Sequence, residues 1–139
     1  MISKKIYMSK IKKEILDEYN KSLKNDDLLN YFGDWIKKAD KFKIDYATNE
    51  PFCHIKIDNF LNKEYAEKIY QEFPTDFDNW WKYNNPIEVK YANDNIDNFR
   101  SNIKKIFYLL SSDKLVNLFS KITDISNLEY DPYLHGAGL

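Results

Sequence analysis

The sequence predicts a helix-rich α+β fold, with four or five helices and a few strands. Several stretches repeat apolar residues every three or four positions, as amphipathic helices do, and one stretch alternates with period two, as a half-buried strand does. The chain has 139 residues, of which 43% are hydrophobic and 17% are aromatic. That length suits one domain, and this apolar content is enough for a packed core.

Residues 1–50 are predicted to form a helical N-terminal extension. The first helical stripe consists of Ile11, Ile15, Tyr19 and Leu23. A second helix is expected to begin near Asp26 and Asp27, because carboxylates are favoured at helix N-termini. Its stripe consists of Leu28, Phe32, Trp35, Ile36, Ala39 and Phe42. Residues 1–43 contain 11 lysines and 7 acidic residues, whereas the remainder of the chain has an excess of acidic residues, so the extension is expected to pack on a more acidic body.

A half-buried strand is predicted next, because Cys53, Ile55 and Ile57 alternate with polar residues. Asn62 suits the N-cap of the following helix, which is expected to run through Phe73 and to stop at Pro74. The buried face of this helix is predicted to consist of Ala66, Ile69, Tyr70 and Phe73.

The sequence of the second half predicts a short strand and two further helices. The strand is expected within Ile87–Tyr91, and the next helix carries Phe99, Ile103, Ile106, Phe107 and Leu110. Ser111 or Ser112, followed by Asp113, is expected to cap a last helix that carries Leu115, Leu118, Phe119 and Ile122. Residues 127–139 contain Pro132, Gly136 and Gly138 and are predicted to be extended.

Composition and charge argue against several classes of protein. A net charge of −1 gives no general attraction to nucleic acid, and the longest apolar run, Ile106–Leu110, is too short for a membrane span. The single cysteine, Cys53, excludes an internal disulfide and fits a reducing compartment. The N-terminus lacks the apolar segment of a secretory signal. We therefore expect a soluble, cytoplasmic protein with no nucleic-acid partner and no membrane partner.

Few side chains have the chemistry that catalysis or metal binding requires. His54 and Asp58 share a face of the predicted strand, but they would lie about 13 Å apart, too far to bind one metal. Asp131 and His135 sit closer to a turn, yet two ligands do not make a facial triad. Cys53 is expected to be a buried, unreactive thiol. No catalytic, cofactor-binding or metal-binding residue is therefore predicted in this chain.

The aromatic run Trp80–Tyr83 allows two interpretations. Trp80, Trp81 and Tyr83 could stack on bases or sugars, with Lys82 at a phosphate. Packing of these rings beneath a loop is the favoured interpretation, since large aromatic side chains are usually buried.

Two segments of the sequence carry a family pattern. Residues 51–74 read PFCHIKIDNFLNKEYAEKIYQEFP, and residues 128–139 read LEYDPYLHGAGL. The first resembles the strand and helix that open the catalytic domain of iron(II)- and 2-oxoglutarate-dependent oxygenases of the prolyl 4-hydroxylase type. The second is similar to that family's approach to the jelly-roll core. Because their order and separation also fit, residues 51–139 are predicted to be the start of such a domain, truncated within it.

The resemblance implies a double-stranded β-helix (jelly-roll) hydroxylase that converts 2-oxoglutarate to succinate while it hydroxylates a C–H bond. In that family an H-x-D pair and a distal histidine bind iron(II), and a later Arg or Lys binds the cosubstrate. This sequence has no H-x-D motif and ends before that motif is expected. We therefore predict the N-terminal helices and first strands of the fold, with an incomplete core. No cofactor is expected to bind this chain and no catalysis is expected from it alone; iron(II) and 2-oxoglutarate belong to the full-length protein.

A second hypothesis is a non-catalytic helical protein-interaction module left by truncation, which binds a partner through its aromatic surface. The two hypotheses differ in the sequence expected after Leu139: the first expects the rest of the oxygenase domain, including H-x-D, and the second expects a stop codon. An unpaired sheet edge near Leu139 also predicts that the isolated chain is marginally stable or self-associates.

Overall fold

The computed structural model describes residues 11–78 and 80–134, apart from the side chains of residues 25 and 26. In this part the chain forms five α-helices and one β-hairpin: α1 (Lys13–Ser22), α2 (Ala39–Thr48), α3 (Lys63–Glu72), β1 (Trp81–Asn84), β2 (Val89–Ala92), α4 (Ser101–Ser111) and α5 (Asp113–Thr123). Short 3-10 helices span Asn25–Asn30, Asp34–Lys37 and Ile96–Asn98. The helix-rich α+β class is confirmed, whereas a jelly roll stays a prediction.

The first hydrophobic core forms where α2 packs against α5. Its buried residues are Leu23, Leu28, Phe32, Trp35, Ala39, Leu109, Leu115 and Ile122. The indole N–H of Trp35 donates to the carbonyl of Phe60 at 2.7 Å, and the two rings stack with their centroids 5.1 Å apart. Because a buried N–H without a partner is costly, this bond allows a tryptophan to occupy the core and fixes the loop before α3 upon it.

The second hydrophobic core forms between α1, α4 and the C-terminal segment. Its buried residues are Ile11, Leu16, Ile96, Phe99, Ile103, Tyr108 and Leu134. Tyr19 of α1 stacks on Tyr108 of α4, with ring centroids 5.7 Å apart. The next residue of α4, Leu109, belongs to the first core, so α4 joins the two. Both cores combine residues from before and after position 50.

Both predicted N-cap residues lie at the starts of their helices, but only one of them makes the capping hydrogen bond. Asn62 caps α3 as predicted, because its Oδ1 accepts a hydrogen bond from the Tyr65 N–H at 2.8 Å. Ser112 occupies the N-cap position of α5, but its hydroxyl donates to the Leu109 carbonyl at 2.6 Å and caps no N–H group. Ser112 is fully buried, and a buried hydroxyl needs an acceptor close by, which the end of α4 provides.

The single helix predicted over residues 28–42 is wrong, since this segment holds 3-10 helices and only the start of α2. Gly33 accounts for the break. Its N–H donates to the Phe60 carbonyl at 3.1 Å, and a Cβ at Gly33 would overlap the carbonyl oxygen of Asn59. Phe32 forms an isolated β-bridge with Leu61 at the same place. The apolar residues of this stripe are nonetheless buried. Their spacing indicates that they face the same side, and this remains possible when the helix is interrupted.

The strand predicted at Cys53, Ile55 and Ile57 is not formed, and this prediction is wrong. Ile55 and Ile57 are half-buried against the first core, which accounts for the alternation. A strand also needs a neighbour that shares its hydrogen bonds, and the only sheet in residues 11–78 and 80–134 is the β1–β2 hairpin. The opening strand expected for a jelly roll is therefore not formed in the described part of the chain.

Helix α3 ends just before Pro74, as predicted, but its buried face differs from the predicted one. Tyr65 is 3% exposed, whereas Tyr70 is 83% exposed and Phe73 is 44% exposed. The face that meets α4 consists of Tyr65, Ile69 and Glu72, whose spacing is also helical. The prediction failed because a glutamate and a tyrosine hydroxyl, both hydrogen-bonded across the interface, belong to the inward face.

Candidate functional site

The second segment of the oxygenase resemblance, which begins at residue 128, packs against the helices. We call its contact region the C-terminal anchor: Ile11, Ile103, Tyr108, Pro132 and Leu134. The Ile11 N–H donates to the Pro132 carbonyl at 2.7 Å, and Leu134 is 6% exposed within the second core. Residues 127–134 form no helix or strand, but they are not extended as predicted, because Asn127 and Leu134 have positive φ and residues 132–133 form a turn. Residues 135–139 lie outside the described residues.

Leu134 adopts an uncommon backbone conformation at this anchor. Its φ is +54°, in the left-handed region that costs a residue with a Cβ about 1–2 kcal/mol. Burial of a leucine side chain contributes about 1.5–3 kcal/mol, which offsets that cost. Asp131 supports the turn before it, because its Oδ1 accepts from the Tyr133 N–H at 2.8 Å. The direction in which the chain passes Leu134 is therefore set by packing.

The start of α1 is tied to the same region by polar contacts. The Lys12 N–H donates to the Tyr108 hydroxyl at 3.4 Å, and the Lys12 ammonium lies 3.0 Å from a carboxylate oxygen of Asp97. The hydrogen bond and the charge of Asp97 raise the pKa of Lys12. Lys12 and Asp97 are exposed, so this ion pair contributes orientation more than stability.

Glu72 joins α3 to the N-terminus of α4. One carboxylate oxygen accepts from the Asn102 N–H at 2.8 Å, and the other accepts from the Asn102 side-chain amide at 2.6 Å. Longer bonds come from the Ile103 N–H and the Ser101 hydroxyl, both at 3.4 Å. Partial burial acts to raise the pKa of Glu72, but these hydrogen bonds outweigh it and lower the pKa below its usual value. No local sequence pattern marks this cap, because its two halves are 30 residues apart.

The β1–β2 hairpin exposes aromatic side chains. Trp81 pairs with Ala92 and Tyr83 pairs with Lys90, so these four residues share one face of the hairpin. Trp81 is 59% exposed and Tyr83 is 49% exposed. The predicted packing of these two rings beneath a loop is therefore wrong, because no α-helix in the described part of the chain packs extensively against either strand.

Trp80, which precedes β1, is better covered than Trp81 and Tyr83, whereas Tyr91 on the opposite face of the hairpin is 42% exposed. Trp80 is half-buried and lies edge-on to Phe77, with ring centroids 5.0 Å apart. Phe77 also stacks on Tyr91 at 5.2 Å. The Lys82 ammonium also lies over the Tyr91 ring, 5.6 Å from its centroid. The predicted strand near Ile87–Tyr91 is confirmed as β2, which begins at Val89.

The histidine, cysteine and aspartate side chains with catalytic or metal-binding chemistry are dispersed. The His54 ring bonds to the Phe52 carbonyl through Nδ1 at 2.7 Å, and Asp58 pairs with Lys56 at 2.9 Å on the surface. Cys53 is exposed, so the prediction of a buried thiol is wrong. It is exposed because the segment forms no strand that would turn its side chain onto a core.

No group of three or more His, Cys, Asp and Glu side chains in residues 11–78 and 80–134 is placed to hold a metal ion. The Asp131 carboxylate accepts a hydrogen bond from the Tyr133 N–H, and His135 lies outside the described residues. The donor set of the described residues therefore does not fit iron(II).

Comparison with protein-family models, curated proteins and solved structures gives no match to this chain. The oxygenase resemblance thus depends on residues 51–74 and 128–139 themselves. Within the described residues, no helix has both the length and the apolar character that crossing a membrane requires.

Proposed function

We propose that this chain is the N-terminal helical portion of an iron(II)- and 2-oxoglutarate-dependent hydroxylase of the prolyl 4-hydroxylase type, and that it is inactive alone. In this proposal α1 to α5 support the catalytic sheet, and the rest of the oxygenase domain follows Leu139. The observation that carries it is the C-terminal anchor, where the second segment of the resemblance is held against α1 and α4.

The anchor suits such a supporting role for a physical reason. A metal site functions only if its ligands are held in place, and ligands on a fixed scaffold are held better than ligands on free loops. The Ile11–Pro132 hydrogen bond and the burial of Leu134 fix the chain at the point where it leaves the helices. The position of Leu134, the last described residue, is therefore set by its contacts with the helical body.

The test begins with the gene. The DNA and transcript are sequenced beyond codon 139, and the protein encoded by the complete reading frame is purified. We expect a frame that continues into H-x-D and a later histidine, and a protein that releases succinate from 2-oxoglutarate when iron(II) is added. We expect no succinate release from the 139-residue chain. A stop codon directly after Leu139, or a longer protein without the iron motif and without turnover, would contradict the proposal.

A matched pair of variants tests the role of the anchor in the longer protein. Leu134→Ala removes a buried contact, whereas Leu110→Ala removes a leucine that is 37% exposed on α4. We expect Leu134→Ala to reduce 2-oxoglutarate turnover and iron affinity, with Leu110→Ala close to the unmodified protein. Equal turnover in both variants would show that the anchor does not support the catalytic site.

The second candidate function is a non-catalytic interaction module, and the exposed hairpin face is the observation that favours it. Trp81 and Tyr83 offer aromatic surface, which is enriched at protein interfaces. This alternative expects a stop codon after Leu139 and a protein partner lost in the double variant Trp81→Ala/Tyr83→Ala. Tyr70→Ala, which removes another exposed tyrosine on α3, is the control and should retain the partner.

A further inference from the structure

A polar groove of about 560 Å³ opens where three parts of the chain meet. Leu29–Tyr31 forms one wall, the first two turns of α3 form the second, and α4 around Lys105 forms the third. Small-molecule sites typically have volumes of about 300–1,000 Å³. The groove shares no residue with the C-terminal anchor or the hairpin, and it is independent of the hydroxylase proposal.

The groove carries positive charge, although the whole chain has a net charge of −1. Its ionisable lining residues are Lys63, Lys68, Lys105 and Glu64, together with two tyrosines. Lys68 and Glu64 neutralise each other in an ion pair of 2.6 Å. Lys63 and Lys105 have no carboxylate partner among the described residues, and the Lys105 ammonium lies 5.5 Å from the ring centroid of Tyr31. Two ammonium groups thus remain available to a ligand.

The three walls are connected to one another by hydrogen bonds and ring contacts. The Tyr65 hydroxyl donates to the Asn102 carbonyl at 2.7 Å, which links α3 to α4. The Asn62 side-chain amide donates to the Leu29 carbonyl at 2.8 Å, which links α3 to the first wall. Tyr31 and Tyr65 meet edge to face with centroids 5.0 Å apart. A ligand therefore meets a preformed groove, which lowers the entropic cost of binding.

Tyr65 adds no negative charge to the groove. Burial, with the neighbouring Tyr31 and Tyr19, raises the pKa of Tyr65 well above its usual value, so the phenol stays neutral at physiological pH. The polar lining and the two ammonium groups of Lys63 and Lys105 favour a ligand with several negative oxygens over an apolar one. Lysine binds such oxygens as a compact point charge, which is how phosphate groups are often held.

We propose that this groove binds a small ligand carrying a diphosphate or triphosphate group, held by the ammonium groups of Lys63 and Lys105. Such a group occurs both as free polyphosphate and on nucleotides, and both sources share the same contacts. A nucleotide would in addition place its base near Tyr31, which lines the groove.

The test titrates the purified chain with inorganic pyrophosphate and, separately, with ADP, using calorimetry at low and at physiological salt. We expect both to bind, with affinity that falls as salt rises, because exposed charges are screened. Tighter binding of ADP would identify a nucleotide as the preferred source, and equal binding would identify the phosphate group alone. Failure of both ligands to bind at low salt would overturn the proposal.

Paired variants locate the site. Lys63→Gln/Lys105→Gln removes both free ammonium groups, and Lys37→Gln/Lys41→Gln removes the same charge from exposed positions outside the groove. We expect the groove variant to weaken pyrophosphate binding about tenfold per lysine, and the control to change it far less. Equal weakening in both variants would overturn the proposal, since attraction would then come from overall charge. Amide NMR shifts at Lys63, Glu64 and Lys105 on ligand addition provide a readout that does not depend on the variants.

Discussion

Replacement of Glu72 by alanine tests whether α3 is coupled to α4 through one carboxylate. The change removes two short hydrogen bonds, at 2.8 and 2.6 Å, and two longer ones at the N-terminus of α4. Loss of a helix N-cap costs about 0.5–2 kcal/mol, and loss of a negative charge at a helix N-terminus costs about 0.3–1 kcal/mol. At this half-exposed site, water replaces part of the lost hydrogen bonding. We therefore expect the free energy of unfolding to fall by about 1.5 kcal/mol.

Urea unfolding followed by tryptophan fluorescence measures this difference, since Trp35 is buried in the native state. A thermal scan should show the midpoint lowered by about 4–8 °C for a chain of this size. Glu67→Ala is the matched control, because Glu67 is an exposed glutamate of the same helix outside the α3–α4 contact. If both alanine variants unfold at the same urea concentration, Glu72 does not cap α4 and the reasoning is refuted.

The pH dependence gives a second test of the same contact. The pKa of Glu72 is lowered in the folded state, since hydrogen bonds to the charged form outweigh the effect of burial. Its stabilisation is therefore fully present above the unfolded pKa of about 4.3 and is lost as pH falls through the lower folded pKa. Glu72→Gln should unfold more easily than the unmodified chain at pH 7, and the difference should disappear in acid.

Three further predictions concern other elements of the fold. Gly33→Ala should destabilise the chain by about 2 kcal/mol or more in urea unfolding, because its Cβ would overlap the Asn59 carbonyl oxygen; a change below about 0.5 kcal/mol would show that the loop yields freely. Cys53 should react with a thiol reagent about as fast in the native state as in urea, because it is exposed, and slow labelling that accelerates in urea would contradict its position. Tyr65 should remain protonated in the folded chain while exposed tyrosines ionise, because its pKa is raised; its stabilising effect is present below pH about 10 and is lost as pH rises through the folded pKa. Ultraviolet titration of the unmodified chain against Tyr65→Phe checks this, and a phenolate signal from Tyr65 at its ordinary pKa would contradict it.

Much of the fold was predicted because burial leaves a local periodic trace in the sequence. The stripe of Leu115 and Ile122 identified α5, and Asn62 identified the start of α3 through a bond to a residue three positions away. The same rule gave a false strand at Ile55 and Ile57, which are half-buried without a strand partner. Periodicity reports which side chains face inward, but it does not report which backbone groups are paired.

The candidate site was less accessible to sequence reasoning. The C-terminal anchor depends on a hydrogen bond between Ile11 and Pro132, which are far apart in the chain. The groove that contains Lys63 and Lys105 forms only when α3 and α4 pack side by side. In the sequence these lysines do not differ from those of any solvated helix.

By itself, the sequence determined the helix-rich class, most inward-facing residues and the position of the α3 cap, because these depend on neighbours within about one helical turn. Only the tertiary structure decided where the chain bends at Gly33, which carboxylate caps α4, and that Trp81 and Tyr83 face solvent. Each of these depends on what a distant segment places beside the residue. Close packing and hydrogen-bond partnership are properties of the assembled chain, and a local pattern of residue types does not encode them.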